Sequence, residues 1–323
     1  MEGSLSSVIA PLRRPWTWAT ATLLVALAGG ALWAGPPPDS ADCEERLELA
    51  IAAISTHPRV KDVPPAKIRA TTEFVLGNSL FAILHEMAHG LITDLGLPVL
   101  GREEDAADAF ATVAILEMKS EFTHRVLVNA AKSWMILDRR SREAGEPTVY
   151  YDAHGLDLQR AYNIICLMVG SDPDQFDDLA NEVNMPEDRR GTCQGDYSNA
   201  SWSWTKALAP YVRSPGQERV KYPFVYGKPE GSLDIFERAF RAAGVLERIT
   251  DHAGKYTWHK PFVIEAVTCG ESGAQWELQQ HKVIFCYELS DEFAALYKSH
   301  GEDTLMSLSP PQGYRPSVPL GFR

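Results

Sequence analysis

His85-Glu86-Met87-Ala88-His89 is the run whose residue types and spacing could do chemistry. On a helix, positions four apart share a face. Two imidazoles placed this way can hold one Zn²⁺ at ~2.0–2.1 Å. Glu86 is turned by ~100° from His85 and reaches the open side of the ion. There a carboxylate can take a proton from bound water, whose pKa zinc brings to ~7. With nine histidines in 323 residues, chance alone gives such a run in roughly one chain in a hundred, so the surroundings must support it. They are apolar, with Phe81, Ile83 and Leu84 before the run and Leu91 and Ile92 after it. Imidazole and carboxylate buried there need a partner or a metal.

A catalytic zinc takes three protein ligands and keeps one position open. Arg102-Glu103-Glu104-Asp105-Ala106-Ala107-Asp108 can supply the third. Glu104 ligates in this reading, with Glu103, Asp105 and Asp108 as alternatives. Asp108, one turn on, accepts the free N–H of a zinc-bound histidine and orients its ring. An acidic first turn favoured by the helix dipole is the competing explanation. Asp152-Ala153-His154-Gly155-Leu156-Asp157 forms a second polar cluster. His154, Tyr151 and Arg160 are candidates to stabilise an oxyanion. A histidine satisfied by backbone and carboxylate at a helix start explains His154 equally well. Trp202, Trp204 and Tyr211 read as core packing, and His57, His124, His252, His259, His281 and His300 as structural or surface residues.

HExxH followed by Glu-x-x-Ala-Asp resembles the gluzincin metallopeptidases. More closely, HEMAHGLITDLGLPVLGREEDAAD resembles the bacterial family named "putative metallopeptidase", as do the stretch at 152–173 and CYEL at 286–289. The resemblance implies His85, His89 and Glu104 as zinc ligands, Glu86 as base and Asp108 as the residue orienting a ligand. It also implies a CYEL-type strand ahead of the metal helix, forming the edge that binds substrate backbone. In this chain CYEL follows the core instead.

These residues need elements to position them. Apolar residues at helical spacing predict a helix from Ala66 to Leu95, stopped by Gly96 and Pro98. Further helices are expected over 102–119, 123–142, 156–169, 176–183, 233–243 (Ser232 as N-cap) and 291–299. PFVIEAVTC and KVIFCYEL are strand-like, and GESGAQ between them reads as the turn of a C-terminal hairpin. The fold class is α+β, a mostly helical zincin-like core with a C-terminal β-hairpin. Four segments are expected. They are a signal peptide or membrane anchor (1–38), an exposed linker with a short helix (39–65), a helical core (66–250), and a hairpin segment with a proline-rich tail (251–323).

Composition sets the wider limits. Of the chain, 45% is hydrophobic and 23% charged, with a net charge of −12. That suits a globular protein and leaves no basic face for nucleic acid. Residues 15–38 carry no charge and follow Arg13-Arg14, the pattern of an export signal or a single anchor, with membrane association through residues 15–35 in the second case. The body of the chain is then expected outside the cytoplasm. Cysteine usage agrees, because Cys166–Cys193 and Cys269–Cys286 are plausible disulfides that leave Cys43 over. The activity expected is zinc-dependent hydrolysis of a peptide or protein. The alternatives are a zinc hydrolase of a non-peptide substrate and a non-catalytic metal-binding envelope module.

Overall fold

The computed structural model describes residues 40–60, 63–214, 217–301 and 303–308. The readings placed on residues 1–38 and on the proline-rich tail from 309 lie outside them.

Helix α1 (Ser40–Ile54) leads into α2 (Pro65–Leu95), which forms the axis of the molecule. By length and composition α2 could cross a membrane, yet its apolar residues face other protein elements. Phe74, Val75, Ile83, Leu84, Met87, Ala88 and Leu91 are fully buried, as expected of a helix apolar on every side. Pro65 occupies its first turn, where a missing N–H costs nothing. Gly96 closes it in the left-handed conformation (φ 63°), and its N–H returns to the Ile92 carbonyl.

Helices α3 (Glu103–Glu117) and α4 (Glu121–Glu143) pack on α2 and on each other, and α5 (Asp157–Ser171) packs on both of them. Next come α6 (Pro173–Glu182), the single turn α7 (Glu187–Arg190) and α8 (Cys193–Leu208). The Cys166–Cys193 disulfide joins α8 to α5.

A four-stranded sheet closes the other side. Its strands are β1 (Phe224–Tyr226), β2 (Val263–Val267), β3 (Ala274–Glu277) and β4 (Lys282–Cys286), in the order β1-β2-β4-β3. Helices α9 (Asp234–Ala243) and α10 (Val245–Ala253) lie between β1 and β2 in sequence, and α11 (Tyr287–His300) and the turn α12 (Leu305–Leu308) follow β4. Phe240 packs on Phe285 and Tyr287, and β3 and β4 lie against α2. Sheet and helices share one core.

Several expectations change. β2 and β4 are strands, but they pair in parallel, and the hairpin is β3–β4. GESGAQ is therefore no tight turn, since its Ala274 and Gln275 begin β3. A parallel pair needs a crossover, and the stretch from Thr268 to His281 is long enough to supply one. CYEL is not the sheet edge either: Cys286 ends an interior strand and Tyr287-Glu288-Leu289 open α11. Residues 40–54 are more than an exposed linker, for α1 packs on α9 and buries Leu47, Ala50, Ala53 and Ile54. Ser232 sits in a 3₁₀ turn and does not cap α9. Trp202 is 63% exposed, whereas Trp204 packs on Phe110 and donates to the Ala106 carbonyl at 3.1 Å.

Candidate metal centre

Helix α2 presents His85 and His89 on one face, with their Nε2 atoms 3.2 Å apart. The first turn of α3 delivers Glu104, whose Oε2 lies 3.0 Å from His85 Nε2 and 3.5 Å from His89 Nε2. Three donors on a tetrahedral ion, each at ~2.0–2.1 Å, would stand about 3.3 Å apart. The observed separations bracket that value, and the donor set of two imidazoles and a carboxylate suits a divalent ion. The residues therefore fit a metal.

The far side of each ring is also held. His85 Nδ1 donates to Asp108 Oδ1 at 2.8 Å, and His89 Nδ1 to Glu103 Oε1 at 2.7 Å. Carboxylates in these positions keep the proton on Nδ1 and aim Nε2 at the ligand point. Glu103, an alternative ligand by sequence, turns instead toward the outer nitrogen of His89. Asp108 is anchored in turn by Arg160, whose Nε and Nη2 each donate to one of its oxygens at 2.7 Å. Arg160, a candidate for the oxyanion by sequence, is thus committed to Asp108 instead. Tyr151 is 91% exposed, and among the described residues no hydrogen bond ties it to the cluster.

Burial alone would depress the pKa of His85, but hydrogen bonds to Asp108 and Glu104 outweigh it and push the ring up to about 9. His89 is raised in the same way, burial being overcome by Glu104 and Glu103. Hydrogen bonds from the two histidines hold the Glu104 carboxyl well below the usual carboxylate range. Burial pushes Glu86 up, and the neighbouring histidines only partly offset this. A carboxylate raised from its ordinary value is better matched to accepting a proton near neutrality.

Glu86, next to His85 in the chain, also reaches the sheet. Its Oε2 accepts the Trp276 backbone N–H at 2.8 Å. β3 is an edge strand, and alternate residues of an antiparallel edge direct their N–H and C=O outward. The Trp276 amide is one of these outward groups, so the free edge of β3 runs beside Glu86. Gly90 permits this approach: a Cβ there would meet the Trp276 ring at 3.0 Å and the Trp258 ring at 3.2 Å. Sequence reasoning overlooked Trp276, because its contribution comes from the main chain. The glycine directly after HExxH was the available signal of a close approach.

His154 arrives from the loop between α4 and α5. Its Nε2 lies 3.1 Å from Glu104 Oε2, and its Nδ1 3.0 Å from Asp152 Oδ1. Arg102 fixes the loop, donating to the His154 carbonyl at 3.3 Å and to Asp105 at 2.9 Å. Asp105, another ligand alternative, is thereby occupied. Among the described residues, the donor atoms gathered within 4.8 Å of one another here belong to His85, His89 and Glu104. His154 borders that group and is not part of it.

A profile of the family described as "Putative metallopeptidase" matches residues 43–208, just over half of the chain. The chain belongs to this family. The match spans α1 to α8 and so contains His85, Glu86, His89, Glu104, Asp108, His154 and Arg160. The sheet that brings Trp276 to Glu86 lies beyond it. No curated protein and no solved structure matches the chain. Membership in this metallopeptidase family is consistent with a metal at the His85-His89-Glu104 cluster.

Proposed function

We propose that this chain is a zinc-dependent peptidase that works outside the cytoplasm. The observation carrying the reading is the convergence of His85 Nε2, His89 Nε2 and Glu104 Oε2 at 3.0–3.5 Å from one another, with Glu86 adjoining them on the same helix. These three residues would hold the ion. When bound, the ion supplies Lewis-acid activation of water and of the scissile carbonyl.

The remaining steps belong to the side chains. Glu86 accepts the proton of the attacking water and returns it to the leaving amine. The Trp276 amide holds one Glu86 oxygen and leaves the other for water. His154, steadied by Asp152, offers Nε2 to the oxygen that gains negative charge as the carbonyl is attacked. A substrate strand adds to the free edge of β3, so its backbone is recognised in extended form. That edge, rather than CYEL, takes the part the resemblance implied. His154 and Asp105 stand outside the donor group, which supports an open fourth position over a closed, purely structural one. Two disulfides favour an oxidising compartment.

The test uses Glu86→Gln. The variant should retain bound metal and lose turnover by about 10³-fold or more against a mixed peptide library read by mass spectrometry. Cleavage at the wild-type rate would overturn the mechanism. A metal-loaded wild-type chain that leaves every peptide intact would favour a non-peptide substrate.

A further inference from the structure

Arg160 lies on α5, touches neither the ligand point nor the free edge of β3, and is 7% exposed. Its guanidinium stacks on Trp134 of α4, with Cζ 3.7 Å from the ring centroid. Its two donors grip both Asp108 oxygens at 2.7 Å, and Asp108 Oδ1 also accepts His85 Nδ1–H at 2.8 Å. One line of contacts therefore crosses four helices, from Trp134 through Arg160 and Asp108 to His85.

The last torsion of an aspartate side chain is broad, so a carboxylate bonded to His85 alone can turn unless something holds its plane. A two-pronged guanidinium does so, because each prong takes one oxygen in the plane of the group. The indole beneath fixes the plane of the guanidinium itself. Lysine could neither grip both oxygens nor stack in this way.

We propose that Arg160, seated on Trp134, is a positioning residue for the metal. By holding the Asp108 carboxylate toward His85 it keeps the proton of that ring on Nδ1 and the Nε2 lone pair on the ligand point. Metal affinity is thereby set partly from α5. The inference rests on reading His85, His89 and Glu104 as metal ligands.

The experiment measures Zn²⁺ affinity of the full chain by competition with a chromophoric chelator. It compares wild type, Arg160→Lys, Trp134→Leu, Asp108→Asn and the two doubles that combine Asp108→Asn with each of the others. Loss of a residue that orients a ligand weakens metal binding by about 10–100-fold. Arg160→Lys should fall in that range and Trp134→Leu should weaken binding severalfold. In the Asp108→Asn background neither change should weaken binding further, a coupling that general loss of packing does not produce. Wild-type affinity in both single variants, or equal losses in both backgrounds, overturns the proposal. If Arg160→Lys does not fold, Trp134→Leu and its double decide alone. A wild-type chain that binds no zinc overturns the metal-site reading and the inference with it, an outcome distinct from zinc-binding variants indistinguishable from wild type.

Discussion

At the scale of single residues, the site is a charge problem with two solutions. Glu103, Glu104 and Asp108 surround one buried and one half-buried imidazole, and protons or a divalent ion can balance them. His85 is held protonated up to about pH 9 because its bonds to Asp108 and Glu104 outweigh burial. Metal entry must therefore displace protons. Between pH 6 and 9 the apparent affinity for Zn²⁺ should rise, by up to about tenfold per pH unit for each proton displaced. Calorimetry in two buffers of different ionisation enthalpy should register proton release at pH 7. Binding with no proton release would contradict the assignment of His85. The pattern HExxH and the spacing from Glu104 to Asp108 were readable in the sequence, because both follow from helical geometry. The role of Arg160 is not legible there, because its partner Asp108 lies 52 residues away on α3.

Elements explain why those side chains meet. α2 brings the two histidines together by its own periodicity, but Glu86 has a defined direction only because β3 lies alongside. Gly90 is the point of contact. Gly90→Ala gains about 1 kcal/mol of helix propensity, while crowding in a packed interior costs about 1–3 kcal/mol. The difference predicts a loss of about 0–2 kcal/mol, seen as a modestly lower melting temperature. Displacement of Trp276 from Glu86 should nonetheless lower turnover against peptides by about tenfold or more, with metal content unchanged. Unaltered kcat would remove β3 from the mechanism. The helices of the core were legible from apolar spacing, and so were the strand character of β2 and β4 and both disulfide pairs. Strand direction was not, since the alternation of side chains is the same in parallel and antiparallel pairs. α8 escaped notice because its Gly, Ser and Asn content favours turns; the disulfide to α5 and contacts with α3 and α5 override that preference.

For the whole molecule, the sheet and the helices from α1 onward share one core, so residues far from the metal centre govern its survival. His252 on α10 is an example. It is 3% exposed, and among the described residues its Nε2 has no hydrogen-bond partner. Burial, and then the charges of Lys255 and Arg219, lower its pKa to about 3. The unfolded chain binds a proton here below pH ~6.5 while the folded chain does not. Stability from this group is thus complete above about pH 6.5 and falls as the pH drops toward 3. His252→Gln should flatten the loss of thermal stability between pH 7 and 4, and an unchanged pH profile would show that His252 does not govern it. The net charge of −12 and the acidic surroundings of the site also suit a cation better than an anionic polymer.

The central claim is that His85, His89 and Glu104 jointly hold a metal ion, and metal content measured by mass spectrometry on the purified chain tests it most directly. The account predicts about one zinc per chain, removed by a chelator, restored on adding Zn²⁺, and lost together in His85→Ala, His89→Ala and Glu104→Ala. A folded wild-type chain that takes up no divalent ion, or a Glu104→Ala variant that binds zinc as tightly as wild type, would contradict it.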